Sequence, residues 1–84
     1  MYETLENLQM ISCENVNVNE LILFKKLKEV SINNSNITNA IYFKEFELLK
    51  NLIIDGSKID CENLESIIRN DIEFSHEEKF YLIG

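Results

Sequence analysis

An α/β solenoid, built from stacked units that each hold one short strand and one short helical segment, is the fold this sequence predicts. Three observations carry the prediction. Segments beginning at Leu5, Leu27 and Leu49 superimpose at a constant spacing of 22 residues. Apolar residues fall into columns at that spacing: Leu8, Val30 and Leu52, then Met10, Ile32 and Ile54, then Phe24, Phe46 and Ile68. A small-residue column, Cys13, Ser35 and Ser57, keeps the same step. A fixed period of this length signals a fold in which each unit is too small to bury its own apolar face and stacks on its neighbours to do so. The chain has 84 residues, no proline and two glycines, so nothing marks a linker and residues 1–84 read as one domain.

The elements follow in order within each repeat (5–26, 27–48 and 49–70). The stretch from Leu5, Leu27 or Leu49 places apolar residues at its fourth and sixth positions, the alternation of a short half-buried strand. After Cys13, Ser35 or Ser57 the chain turns. A segment with helical spacing follows, holding Leu21 and Phe24 in the first repeat, Phe43 and Phe46 in the second, and Leu64, Ile67 and Ile68 in the third. The last of these is the i, i+3, i+4 stripe of one helix face. Asn17 or Asn19, Thr38 and Asp60 are suitable N-caps for the three segments. In the first repeat Asn15 stands where Ile37 and Ile59 stand later and Val16 follows it, which predicts a slightly lengthened turn.

Residues 71–84 break the period. Asp71 and His76 would fall on apolar columns. A shortened unit using Ile72 and Phe74 fits better, followed by a last strand over Phe80, Tyr81, Leu82 and Ile83, reached through Ser75–Lys79. This tail reads as an irregular C-terminal cap. At the other end only Met1–Thr4 precede the first strand, and a bare parallel edge tends to pair with something.

The pattern L-x-x-[LV]-x-[MI]-x-x-[CS], seen in Leu5–Cys13, Leu27–Ser35 and Leu49–Ser57, resembles that of leucine-rich repeats. The 22-residue length is most similar to the internalin-like class of bacterial repeats. The resemblance covers residues 5 to about 70. It implies a parallel sheet of three to four short strands on the concave side and short helices or 3-10 turns on the convex side. Where the family usually carries an Asn that hydrogen-bonds turn backbone in a ladder, this chain has Cys13, Ser35 and Ser57. A serine oxygen can take the same role, and a thiol only weakly. Proline, common on the convex side of the internalin-like class, is absent.

Eight Lys and Arg against 15 Asp and Glu give a formal net charge of −7. Such a chain is repelled by phosphate backbones and anionic lipid, which argues against nucleic-acid or membrane partners and for a cationic one. The N-terminal residues have neither the basic nor the apolar stretch of a signal peptide, and no apolar run approaches a membrane span. A cytoplasmic location is the simplest expectation, and a fragment of a longer array would look the same. Cys13 and Cys61 lie two repeats apart, roughly 10 Å in stacked strands. A disulfide needs Cα atoms within about 7 Å, so two reduced thiols are expected. With one His and no C-x-x-C pair, no metal site and no cofactor is expected.

The candidate site is the outward sheet face, made by the residues that alternate with the core columns: Asn7, Gln9, Ile11, Glu29, Ser31, Asn33, Asn51, Ile53 and Asp55, joined by Asp71, Glu73 and Ser75 if the tail adds a strand. Gln9, Ile11, Glu29, Ser31, Asn33, Asn51, Ile53, Asp55, Asp71 and Glu73 are the residues expected to touch a partner. Glu29, Asp55, Asp71 and Glu73 supply negative charge, and Ile11 and Ile53 apolar contact. A merely solvated face is the competing reading. Four strands span about 19 Å and a five-residue strand about 17 Å, a footprint of roughly 300 Å². A standard interface takes about 800 Å² per partner, so turns, an edge or the cap must contribute.

Catalytic readings are weaker. Ser35 and Ser57 occupy repeat positions and lack a nucleophile elbow. His76 lies in an acidic turn without a second positioned group. Asp55-Gly56-Ser57-Lys58 lacks the first glycine of a phosphate loop, so Gly56 more simply serves a turn. Glu77 and Glu78 are neighbours in a polar turn. Phe24 and Phe46 lie on a core column, which argues against a nucleotide-stacking platform. No enzyme activity is expected. The leading reading is a protein-binding module for a basic partner, by analogy an immunity protein that neutralises a bacterial toxin. The alternative is a structural, self-assembling unit, with a homodimer through the N-terminal edge.

Overall fold

The computed structural model describes residues 4–69, 71–75 and 79–83, which form two four-stranded parallel sheets and a few short helical segments. The strands are β1 (Asn7–Ile11), β2 (Val16–Asn17), β3 (Glu29–Asn33), β4 (Asn36–Thr38), β5 (Asn51–Ile53), β6 (Lys58–Ile59), β7 (Glu73–Ser75) and β8 (Tyr81–Leu82). Odd-numbered strands make the first sheet, in the order β1-β3-β5-β7, and even-numbered strands the second, in the order β2-β4-β6-β8. The chain therefore visits both sheets in turn and adds one strand to each on every circuit. Helix α1 (Val18–Leu21) and 3-10 segments over Ala40–Glu45 and Leu64–Ser66 lie on the return paths.

The register of the first sheet follows the apolar columns. Leu8 pairs with Val30, Val30 with Leu52 and Leu52 with Phe74, all on adjacent parallel strands. Inward residues of the middle circuits are sealed: Leu27, Ile32, Leu49, Leu52 and Ile54 are 0% exposed and Val30 is 1%. Leu5, Leu8, Met10 and Phe74 occupy the same rows in the first and last circuits and are only half-buried, because each has a neighbour on one side. Of the aromatic column, Phe46 is buried and Phe24 half-buried.

The second sheet was not expected. Its strands are two or three residues long and hold one aliphatic residue each on a shared row: Val16, Ile37 and Ile59, which are buried, and Leu82, which is exposed at the end. One apolar residue cannot display a period of two, so these strands leave no alternation to read. The lengthened first turn shows directly in the pairing, since Val16 lies against Ile37, one residue short of the usual step.

The tail departs from the expected irregular cap. Its β7 pairs with β5 in the unshifted register, Glu73 against Asn51 and Phe74 against Leu52, and β8 pairs with β6. Ile72 is 7% exposed and takes up the core place that Asp71 leaves polar. The Phe80 ring meets the Phe74 ring edge-on at 5.1 Å. Expectations that fall on Met1–Glu3 and on His76, Glu77 and Glu78 lie outside the described residues.

Two of the expected caps sit elsewhere. Asn17 does cap α1, accepting from the Asn19 N–H at 3.1 Å. Thr38 instead lies in β4 and donates to Asn15 Oδ1 at 3.1 Å. The Asp60 carboxylate accepts from the N–H groups of Asn39 (2.8 Å) and Ala40 (3.0 Å), so it caps the 3-10 segment of the previous circuit rather than its own. Asn63 caps the Leu64–Ser66 turn by accepting from the Ser66 N–H. The return paths share one device: the Phe24 N–H donates to the Leu21 carbonyl and the Leu27 N–H to Phe24, and the Phe46 and Leu49 N–H groups repeat it from Phe43 and Phe46.

Candidate binding site

The outward face of the first sheet carries a concavity of ≈ 500 Å³, lined by Asn7, Leu8, Gln9, Glu29, Val30, Ser31, Asn51 and Ile53. Strand alternation explains who lines it. Leu8 and Val30 turn their side chains to the core, while the residues on either side turn outward. Two register rows cross the strands: Asn7, Glu29, Asn51 and Glu73, then Gln9, Ser31 and Ile53. The Asn51 amide donates to Glu29 Oε1 at 3.4 Å, which ties two side chains of one row together. The Asn33 amide donates to Ser31 Oγ at 3.0 Å.

Of the ten residues expected to meet a partner, the concavity gathers five: Gln9, Glu29, Ser31, Asn51 and Ile53. Ile11 and Asn33 pair at the C-terminal ends of β1 and β3, and Ile11 is 57% exposed. Asp55 follows β5 in the turn, where its carbonyl accepts from the Asn34 N–H at 2.8 Å. Glu73 belongs to the first row but lies one strand beyond Asn51. Asp71 precedes β7 and is paired with Arg69, Nε to Oδ1 at 3.0 Å. The hydrogen bond from Arg69 holds the Asp71 carboxyl below its ordinary range, and the charge of Arg69 adds to the effect. The four expected acidic residues therefore do not form one cluster. Glu29 and Glu73 are separated by a full strand, and Asp71 is already neutralised.

A second shallow hollow of ≈ 290 Å³ follows the turns between the sheets, along Ser12, Cys13, Glu14, Asn34, Ser35, Asn36, Gly56 and Lys58. Its residues are committed to structure. Ser57 Oγ donates to the Ile32 carbonyl (2.8 Å) and accepts from the Ser35 N–H (3.2 Å). Ser35 Oγ donates to the Asn33 carbonyl (2.8 Å) and accepts from the Cys13 N–H (2.9 Å). The serines thus form a hydrogen-bonded ladder along the turns.

Arg69 is a residue the sequence reading passed over. Its guanidinium donates to the carbonyls of Phe46 (2.7 Å), Glu47 (3.1 Å) and Leu49 (3.1 Å). It closes the return path of the second repeat and has no period-22 counterpart, so no column could reveal it. Cys13 and Cys61 are free thiols, and burial, with the Asp60 charge behind it, pushes the Cys61 thiol up. Among the described residues no group of three or more His, Cys, Asp or Glu is placed to hold a metal ion, and no helix is long and apolar enough to cross a membrane. No protein-family model, curated protein or solved structure matches the chain.

Proposed function

We propose that this chain is a leucine-rich-repeat solenoid that works as a protein-binding module for a basic partner, in the form of an immunity protein neutralising a bacterial toxin. The observation that carries the binding reading is the concavity on the first sheet, where Glu29 is the one charged side chain among the described residues that line it, on a chain of net charge −7. Complementary charge steers association and suppresses wrong partners more than it adds affinity. The repeat reading is supported by the constant register of the first sheet and by the serine ladder at the position where the family carries asparagine. The immunity reading draws on small size and acidity alone. The candidate partner to test is the product of the neighbouring open reading frame. Expressed alone in a host cell it should stop growth, and co-expression of this chain should restore growth through a complex that weakens as salt rises. Equal growth with and without this chain, or no complex at low salt, removes the immunity reading.

A second reading, self-assembly, is favoured by the two ends of the stack. Leu8 and Met10 are half-buried at one end, and Leu82 and Ile83 are 36% and 60% exposed at the other. Sedimentation of the isolated protein separates the readings: a stable homodimer supports assembly, and a monomer supports partner docking.

A further inference from the structure

We infer that the concavity of the first sheet is a seat for one arginine side chain of the basic partner, with Glu29 as its counter-charge. The inference rests on the docking reading above and says where and how the partner is gripped. The sheet face is too small for a whole interface, since about 800 Å² is needed per partner. A hollow of ≈ 500 Å³ is instead the scale at which a small ligand or an anchoring side chain is enclosed. Binding energy concentrates in such central pockets, and arginine is among the residues that fill them most often.

The lining combines side chains that can accept hydrogen bonds with apolar surface from Leu8, Val30 and Ile53. Asn7, Glu29 and Asn51 share one row across three strands, whose backbones are spaced about 4.8 Å apart. Gln9 and Ser31 add acceptors in the next row, where Ile53 offers an apolar contact. The Asn51 amide holds Glu29 Oε1, which orients the carboxylate and leaves the amide oxygen of Asn51 as a further acceptor. A guanidinium carries five donors in a rigid plane, matching several acceptors spread over a surface, and its flat face and stem rest well on an aliphatic side chain. An ammonium is a compact, strongly hydrated point and would satisfy fewer of them. Among the described residues no Lys or Arg lines the hollow to compete.

The test is a chemical-shift titration of the ¹⁵N-labelled protein with the peptide Ac-Gly-Arg-Gly-NH₂, compared with the same peptide carrying neutral citrulline or lysine. The arginine peptide should shift the side-chain amides of Asn7, Gln9 and Asn51 and the backbone of β1, β3 and β5, and the shifts should saturate. Citrulline should leave them unmoved and lysine should bind more weakly. The variant Glu29→Gln should weaken the arginine peptide by about fivefold, the upper end of what a partly solvated ion pair supplies. Arginine-specific shifts that cluster elsewhere, around Asp55 or Glu73, or that ignore E29Q, overturn the seat and leave the docking reading standing. Equal shifts from arginine and citrulline show that charge is not recognised and overturn both. Lysine binding as tightly as arginine overturns the guanidinium assignment.

Discussion

Gly56 sits where two constraints meet. Its φ is 70°, and the positions one circuit apart, Ser12 (56°) and Asn34 (53°), share the left-handed conformation. This column lets the chain leave β1, β3 and β5 in the same way. A side chain at Gly56 would also run into Asn34 Oδ1. Gly56→Ala should therefore destabilise by about 1–2 kcal/mol, read as a lowered urea midpoint with an unchanged slope. An unchanged midpoint would mean that the turn is not left-handed. Asp71 offers a second check. Its carboxyl is depressed from the ordinary 3.8 by the Arg69 hydrogen bond, so the pair stabilises the fold above that pH and is lost as pH falls through the depressed value. Asp71→Asn should flatten the decline of melting temperature on acidification below about pH 5. Which strand residues face outward was legible one by one, because they alternate with visible core columns. Their grouping was not, because the Arg69–Asp71 pair and the distance between Glu29 and Glu73 depend on the fold of the return path.

Among the elements, the turns carry specific hydrogen bonds as well as packed side chains. Ser57 is 0% exposed and is bonded on both sides, so replacing it strands the Ser35 N–H and the Ile32 carbonyl together. Ser57→Ala should destabilise by about 1–3 kcal/mol. Cys13 occupies the same column at the half-buried end of the ladder, and Cys13→Ala should cost well under half as much in the same unfolding experiment. Equal effects would contradict the ladder. The first three strands of the first sheet were legible because each presents, within or just after the strand, two inward residues at fixed positions. The second sheet was hidden because each of its strands presents one, and because the Val16–Ile37 pairing breaks the step by a residue. Asp60 was misplaced as a cap for a related reason: its carboxylate reaches back across the sheet to Asn39 and Ala40, a contact between circuits that local spacing does not encode.

At the scale of the whole molecule, the core and the proposed binding face rest on one arrangement. The fully buried residues belong mainly to the middle circuits, and the half-buried ones to the first and last. The same register that seals Val30 and Leu52 lays Asn7, Glu29 and Asn51 side by side on the outer face. If the register slipped by one residue, the core and the outer face would exchange places. The measurement that tests this most directly is a set of side-chain and backbone nuclear Overhauser contacts on the labelled protein. Contacts should link Leu8 to Val30, Val30 to Leu52 and Leu52 to Phe74, and on the second sheet Val16 to Ile37, Ile37 to Ile59 and Ile59 to Leu82. Direct contacts between Leu8 and Leu52, or the close Hα–Hα pairs of antiparallel strands, would contradict the account.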